Sequence, residues 1–385
     1  MNNNIPLVSV VMPVLNEEEA IGVCIEKIQK VFEANRILGE IVVCDNGSTD
    51  RSVMIAQDLG VKVVFQPLPG YGNAYIKGFD SAKGKYLIMA YADDTYDFNE
   101  IPNFLNKLIN EKYDFVSGSR YLKSPKNRSI TWLHRYIGNP FLTWVLNVLF
   151  GLNYSDVYSG FRAFSREAYN QIKPVSEGME FNLELAINAR LSGLNVAEIP
   201  ILLNKRKGKS KLRTFKDGWR SLRMMLLYCP NKVFLFPGGL LFILGILIHL
   251  STLFGWIQYQ GRALGSVTAI FATIFSVTGF QIINLGVHLK TYSWSRRFEK
   301  QNILLANFYK VFTLERGIMV GLMLLVLGSI IMVRIIFKWL ISGLVPIPNP
   351  EWVSFAATII IIGFNVFFSS FFVSAMSIKR NENTN

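Results

Sequence analysis

The residues best suited to chemistry sit in one short acidic stretch, Ala90 to Asp97, which reads Ala-Tyr-Ala-Asp-Asp-Thr-Tyr-Asp. The apolar run before it, Tyr86-Leu87-Ile88-Met89, predicts a buried strand, so the carboxylates emerge where a strand gives way to a loop. In an open α/β sheet, ligands bind outside the carboxyl ends of the strands. Asp93, Asp94 and Asp97 repel one another unless a positive charge sits among them. A divalent cation, Mg²⁺ or Mn²⁺, carrying a diphosphate supplies that charge and takes oxygen ligands. For three acids in isolation, a solvated turn is the competing reading.

The elements that must position this stretch follow from the pattern around it. Residues 7–14 are apolar and β-rich and predict a first buried strand, and 17–32 an amphipathic helix. Residues 41–44 predict a second strand ending in Asp45-Asn46-Gly47-Ser48-Thr49-Asp50, where Thr49 or Asp50 can cap the next helix. A third strand is expected over 61–65, a helix opening at Gly70-Tyr71-Gly72, and a fourth strand over 86–89. Strands alternating with helices imply a mostly parallel sheet with right-handed crossovers. The polar loops 13–17, 45–50 and 90–97 then share one sheet edge, where a nucleotide fits. Asp45 is placed to accept from a base or ribose, and the Gly70–Gly72 turn to bring backbone N–H groups to phosphate. Each signal is weak alone; a Gly-x-Gly is most often a plain turn.

Taken in order, the motifs are similar to those of the family 2 glycosyltransferases of the GT-A fold, most closely the dolichyl- or polyprenyl-phosphate sugar synthases. The matching residues are Pro13-x-x-Asn16-Glu17, Asp45-x-Gly47-Ser48-Thr49-Asp50, Gly70-x-Gly72-x-Ala74-x-x-x-Gly78 and Ala92-Asp93. Gly118-Ser119-Arg120-Tyr121, Ser159-Gly160-Phe161-Arg162 and Arg206-x-Gly208-x-Ser210-Lys211 continue the series, which spans about residues 12–215. The resemblance implies a nucleoside diphosphate sugar donor, inversion at the anomeric carbon and a polyprenyl phosphate acceptor. It implies that Pro13, Asn16, Glu17, Asp45, Gly70 and Gly72 hold the donor, and that Asp93 holds the metal. Asp93, Asp94 and Asp156 become the catalytic candidates, with Asp156 either taking the acceptor's last proton or positioning the acceptor. Ser119, Arg120, Arg135, Arg206, Ser210 and Lys211 become the acceptor-phosphate set, since guanidinium forks bind phosphate bidentately. Glu184, four residues after Glu180 on an expected helix, matches a further acidic position and is read as orienting basic residues.

One departure stands out. The family's acidic motif is Asp-x-Asp, whereas this chain reads Tyr91-Ala92-Asp93, so the first carboxylate is missing. A protonated phenol is a poor ligand for a hard cation. Asn46, where relatives often carry a second Asp, is a milder change.

The remaining composition separates two regions. The chain has 385 residues and a formal net charge of +13, which suits an anionic membrane surface or phosphorylated ligands. No nucleic-acid motif is present, so nucleic acid is not expected as a partner. Cys24, Cys44 and Cys229 have no metal spacing and predict a reducing compartment. The first residues, Met-Asn-Asn-Asn-Ile-Pro, predict no signal peptide. Residues 129–152 are apolar and aromatic but broken by His134, Arg135, Asn139 and Pro140, which suits a helix on the bilayer surface or an ordinary core helix.

The expected organisation is thus an α/β GT-A domain over 1–212, an amphipathic helix over 213–232, an all-α membrane domain over 233–376 and a cytoplasmic tail over 377–385. Four transmembrane helices are expected, near 233–254, 266–288, 317–341 and 352–376. The 289–316 connection holds Lys290, Arg296, Arg297, Lys300, Lys310 and Arg316, against Arg262 alone in 255–265 and no Lys or Arg in 342–351. Positive residues mark the cytoplasmic side, so the catalytic domain is expected to face the cytoplasm. Association into a homo-oligomer stays open.

Overall fold

Val8–Val14 (β1) carries almost no exposed surface, as expected of a strand covered on both faces of a largely parallel sheet. Its side chains alternate between two hydrophobic clusters: Val8, Val10, Met12 and Val14 enter one, and Val11 enters the other. The computed structural model describes residues 5–122, 132–204, 214–259, 262–263, 265–295, 313–345, 347 and 349–377, and it divides into units Met1–Met224 and Met225–Asn385.

The first unit is a seven-stranded sheet. Its strands are β1, Gly39–Asp45 (β2), Lys62–Phe65 (β3), Tyr86–Met89 (β4), Phe115–Ser119 (β5), Arg162–Ser165 (β6) and Val196–Pro200 (β7), in the spatial order β3-β2-β1-β4-β6-β5-β7. Every pairing is parallel except those of β6, which runs antiparallel to β4 and β5. Helices Ile21–Ala34 (α1) and Ile101–Ile109 (α4) cover one face, against the first cluster. Tyr71–Ser81 (α3), Arg166–Ile172 (α6) and Phe181–Leu191 (α7) cover the other. Ser52–Asp58 (α2) follows β2.

This topology gathers the site. Because β1, β2 and β4 are parallel, loops 15–20, 46–51 and 90–97 leave from one edge. Strand β6 enters the sheet from that same edge, with Arg162 paired to Met89, so the turn at 156–161 meets the acidic loop. Strand β5 points the same way as β4 and delivers Ser119 and Arg120 there. Neither β6 nor β7 was anticipated from the sequence, since each is short and β7 is only half-buried.

Helix Asn139–Phe150 (α5) continues from a wider helical turn at His134–Gly138, and Pro140, which lacks an N–H, lies just past that wider turn. Thr143 and Leu146 are buried, whereas Ile137, Phe141, Trp144 and Val148 are 50–60 % exposed and form one apolar stripe. Thr214–Tyr228 (α8) is the expected amphipathic helix, and the division between the units falls within it.

In the second unit, four stretches are long and apolar enough to cross a bilayer: Asn231–Phe254, Ser266–Tyr292, Leu314–Ile341 and Glu351–Met376. The helices that make these stretches are Phe236–Phe254 (α9), Ser266–Ser295 (α10), Leu314–Ile341 (α11) and Glu351–Ser377 (α12). A small hairpin, Gln258–Tyr259 (β8) with Arg262–Ala263 (β9), joins α9 to α10. Glycines set the helix contacts. A Cβ on Gly279 of α10 would lie 2.4 Å from the Phe242 nitrogen of α9, and one on Gly321 of α11 would lie 2.8 Å from the Phe367 nitrogen of α12. Backbones approach this closely only at small residues. His249 is fully buried, its Nε2 3.1 Å from Thr358 Oγ1, which donates to Thr273 Oγ1 at 3.0 Å. It thus acts as a packed interhelical contact between α9 and α12.

Candidate active site

The three loops at the carboxyl edge are laced together by their own polar side chains. Asn16 has a φ of 53°, a left-handed conformation that asparagine tolerates. Its N–H donates to Ser48 Oγ at 3.0 Å and its Oδ1 accepts from the Thr49 N–H at 2.7 Å. The Glu17 N–H donates to Ser52 Oγ at 2.8 Å. Asp45 is buried and accepts from the N–H groups of Gly47 and Ser48, both at 3.1 Å, which closes the turn after β2. Asp50 accepts from the N–H groups of Glu18 and Ser52. Pro13 is the penultimate residue of β1, half-buried beneath this turn.

Asn46 makes use of being an amide. Its Nδ2 donates to the carbonyls of Gln66 and Leu68 at 2.9 and 2.8 Å while its Oδ1 accepts from the Gly70 N–H at 2.8 Å. An aspartate at this position has no N–H to donate. The glycines of the next turn serve a close backbone approach: a Cβ on Gly70 would lie 2.4 Å from the Glu177 carbonyl oxygen, and one on Gly72 1.9 Å from that of Ser176. The Gly72 and Asn73 N–H groups donate to the Glu177 carbonyl, so in this conformation the amides at the start of α3 already have an acceptor. Glu184 holds the facing segment, accepting from the N–H groups of Val175 and Ser176 at 2.9 and 2.7 Å, so the partners seen here are backbone amides and not the basic residues expected. Burial raises its carboxyl above the usual range, against those bonds.

The acidic loop separates its charges. Asp93 and Asp94 are each 5 % exposed. Asp93 Oδ1 accepts from the N–H and hydroxyl of Thr95. Asp94, with a φ of 59°, is turned toward α1, where Lys27 Nζ lies 2.6 Å from its Oδ1. Asp97 caps the helical turn Phe98–Glu100 by accepting from the Asn99 N–H. Tyr91 points into a cluster of aromatic rings with Tyr71 and Tyr96. Burial lifts the phenols of Tyr71, Tyr75 and Tyr96 well above their ordinary range, so these hydroxyls are neutral.

These positions decide which divalent ion site the residues suit. Among the described residues, no three His, Cys, Asp or Glu side chains converge on one point. With Asp94 on Lys27 and Asp97 in a cap, Asp93 is the acid best placed to take an ion. One carboxylate with substrate phosphates and water is a usual way to hold Mg²⁺, and the residues fit an ion bound in that manner.

In the turn before β6, Asp156 is fully buried and its carboxylate is gripped by Arg120. It also accepts from the N–H groups of Arg120 and Tyr158. This geometry suits a positioning role rather than that of a base. Burial alone would lower the Arg120 pKa, but Asp156 outweighs it and holds the guanidinium firmly charged. Ser119 is buried and shares a 2.6 Å bond with Ser155. Glu198, an acid in the otherwise apolar β7, accepts from the N–H groups of Ser155 and Asp156 at 2.8 and 3.2 Å. Arg162 is fully buried and donates to the carbonyls of Asn182 and Val157, tying the turn to α7. Arg135 lies in the turn before α5 and stacks over Tyr136. Arg206, Ser210 and Lys211 lie outside the described residues. Asn204 donates its N–H to the Thr95 carbonyl at 2.8 Å, which ties the end of the described segment 132–204 to the acidic loop.

Lys27, Tyr71, Asn182 and Glu198 were not singled out from the sequence. A lone acid inside a strand was a readable sign for Glu198; the other three are ordinary helix residues.

Comparison with known proteins agrees with the fold and motifs. Residues 9–173 match the model for glycosyl transferase family 2, and residues 287–377 match that for the glycosyltransferase family 2 C-terminal transmembrane region. The low-salt glycan biosynthesis hexosyltransferase Agl6 of Haloferax volcanii is 36% identical over 371 residues, covering 96% of this chain and 89% of that one. The dolichyl-phosphate hexose transferase of the same organism is 34% identical over 210 residues, 54% of this chain and 88% of that one. A solved structure of glucosyl-3-phosphoglycerate synthase from Mycobacterium tuberculosis, in complex with Mn²⁺, uridine diphosphate and glucosyl-3-phosphoglycerate, has a TM-score of 0.46. It shares 23% identity, over 58% of this chain and 78% of that one. The match to Agl6 runs through both units, and the chain belongs to glycosyl transferase family 2, as an integral membrane protein with a GT-A domain and the family's C-terminal transmembrane region.

Proposed function

We propose that the protein moves a hexose from a nucleoside diphosphate sugar to the phosphate of a polyprenyl lipid, with inversion, at the cytoplasmic face of the membrane. The observation that carries this reading is the state of Asp156. An acceptor hydroxyl needs a general base, whereas the acid nearest the acceptor-side turn is locked to Arg120 and has no exposed surface. A phosphate monoester brings its own anion, being largely ionised at neutral pH. What such an acceptor needs is cationic reception, which we assign to Arg120, Arg135, Arg206 and Lys211, with Ser210 as a further hydrogen-bond donor.

On the donor side, the loops carrying Pro13, Asn16, Glu17 and Asp45 form the cradle, and the turn at Gly70 and Gly72 borders it. Asp93 would hold the divalent ion, together with the substrate's diphosphate and water. When bound, Mg²⁺ or Mn²⁺ neutralises the charge that gathers on the leaving diphosphate. The acceptor phosphate oxygen forms a bond to the anomeric carbon as the bond from that carbon to the diphosphate oxygen breaks. No proton has to move in that step, and Lys27 keeps the charge of Asp94 away from the reacting groups. The names of the two Haloferax relatives, a hexosyltransferase and a dolichyl-phosphate hexose transferase, support the hexose and the lipid phosphate.

The test uses the purified full chain with polyprenyl phosphate and a panel of radiolabelled sugar nucleotides. Label is expected in an acid-labile lipid product in at least one lane, and not with neutral polyprenol. Transfer to polyprenol or to a glycan hydroxyl, with none to the phosphate, would overturn the acceptor assignment.

A further inference from the structure

Tyr91 occupies the place of a motif carboxylate and does something else with it. The Tyr91 and Tyr71 hydroxyls lie 3.2 Å apart, and the Tyr71 hydroxyl lies 3.2 Å from Asn182 Oδ1. Tyr71 has one proton; given to Asn182, it leaves the Tyr71 oxygen to accept from Tyr91. The Tyr91 ring rests 4.9 Å from that of Tyr96, whose hydroxyl accepts from the Gly160 N–H at 2.9 Å. Gly160 itself is shaped around Tyr91. A Cβ there would lie 2.2 Å from the Tyr91 hydroxyl, and the three atoms nearest to it all belong to Tyr91. The side chain therefore touches α3, the acidic loop and the acceptor-side turn at once.

We infer that Tyr91 is a positioning residue that fastens the acidic loop to the turn at Ser159–Phe161, so that position 91 contributes no ligand to the metal ion and Asp93 is its one carboxylate. An aspartate at 91 is too short to reach Tyr71 and Gly160 together, and its charge would sit against three neutral phenols. Restoring the family's residue would therefore remove a link without adding a ligand. This inference rests on the donor reading above for its metal clause and on geometry alone for the link.

Two measurements on the full chain in detergent decide it. In the first, Mn²⁺ binding is followed by electron paramagnetic resonance with uridine diphosphate and, in parallel, guanosine diphosphate. Tyr91→Phe and Tyr91→Asp should keep the Mn²⁺ midpoint within about twofold of the parent, whereas Asp93→Asn should weaken it roughly tenfold or more. With the transfer assay running and kcat counted per nucleotide-binding site, Tyr91→Phe should lower kcat while leaving KM for the donor unchanged, a loss that an unfolded fraction does not produce once sites are counted. Tighter Mn²⁺ binding by Tyr91→Asp, by about tenfold, would place position 91 at the ion and overturn the inference.

In the second, Gly160→Ala is made in the parent and in Tyr91→Ala. It should lower the melting temperature clearly in the parent and much less in the variant lacking the ring. Equal losses in both backgrounds would show that Tyr91 does not fill that space and would sink the link. If neither nucleotide brings Mn²⁺ to the parent protein, the donor reading fails, and the glycine cycle still decides the link.

Discussion

Arg120 grips Asp156 through two parallel bonds, Nε to Oδ2 at 2.5 Å and Nη2 to Oδ1 at 2.7 Å, and no part of the Asp156 side chain reaches solvent. The pair joins the end of β5 to the turn before β6, two segments that are 36 residues apart in sequence. Glu198 secures the same turn from β7 by accepting from its N–H groups. β5, β7 and the turn before β6 thus form one hydrogen-bonded frame around a charged arginine.

Breaking one half of this pair leaves the other charge buried without its partner, which costs about 3–5 kcal/mol. Asp156→Asn should therefore lower the melting temperature and raise the acceptor KM. The pH profile of its residual kcat should match the parent's, because no proton passes through this carboxylate. Loss of one limb of that profile would instead make Asp156 a base.

Glu184 gives a pH-dependent prediction. Burial holds its carboxyl above the usual range, so the folded protein binds that proton more readily than the unfolded chain. Its contribution to stability is present at low pH and is lost as pH rises through the folded pKa. Glu184→Gln keeps an oxygen for the two N–H groups and removes the buried charge. It should melt at or above the parent at neutral pH, with the gap closing on acidification. Glu184→Ala should lose about 1–3 kcal/mol by orphaning those amides.

The stripe on α5 is expected to lie in the lipid headgroup region. Trp144 is 60 % exposed beside Phe141 and Ile137 on one face. In nanodiscs with brominated lipids, quenching of tryptophan fluorescence should fall when Trp144 becomes Phe. Trp144→Asp should raise KM for a long polyprenyl phosphate more than for a short soluble analogue. Equal quenching with and without Trp144 would place the stripe away from lipid.

Helix packing in the membrane unit has an internal control. Gly279→Ala puts a methyl 2.4 Å from the Phe242 nitrogen, whereas a Cβ on Gly239 meets nothing within 4 Å. Overpacking of this kind costs about 1–3 kcal/mol. Gly279→Ala should lower the melting temperature and Gly239→Ala should not.

Orientation follows from loop charge. Cysteines replacing Tyr259 and Val345 should react with a membrane-impermeant maleimide in intact cells, and one replacing Lys300 should not. The reverse pattern would put the proposed sugar-nucleotide site outside the cell and overturn the donor assignment.

By itself, the sequence determined the alternation of strands and helices, the four apolar spans and the motif order that betrays the family. All of these are written locally, in runs and spacings that periodicity exposes. It also named most of the residues that meet at the sheet edge, because parallel strands must deliver their loops to the same side. Tertiary structure alone decided what those residues do once there. Asp94 faces Lys27 across 67 positions of chain, Asp156 faces Arg120 across 36, and Tyr91 reaches Tyr71 across 20. Strand β6 could not be read, since four residues buried by their neighbours carry too short a pattern, and its antiparallel entry brings Gly160 under Tyr91. A motif gives the identity of a carboxylate; whether it meets a metal ion, an arginine or a helix end depends on partners that only the folded chain supplies.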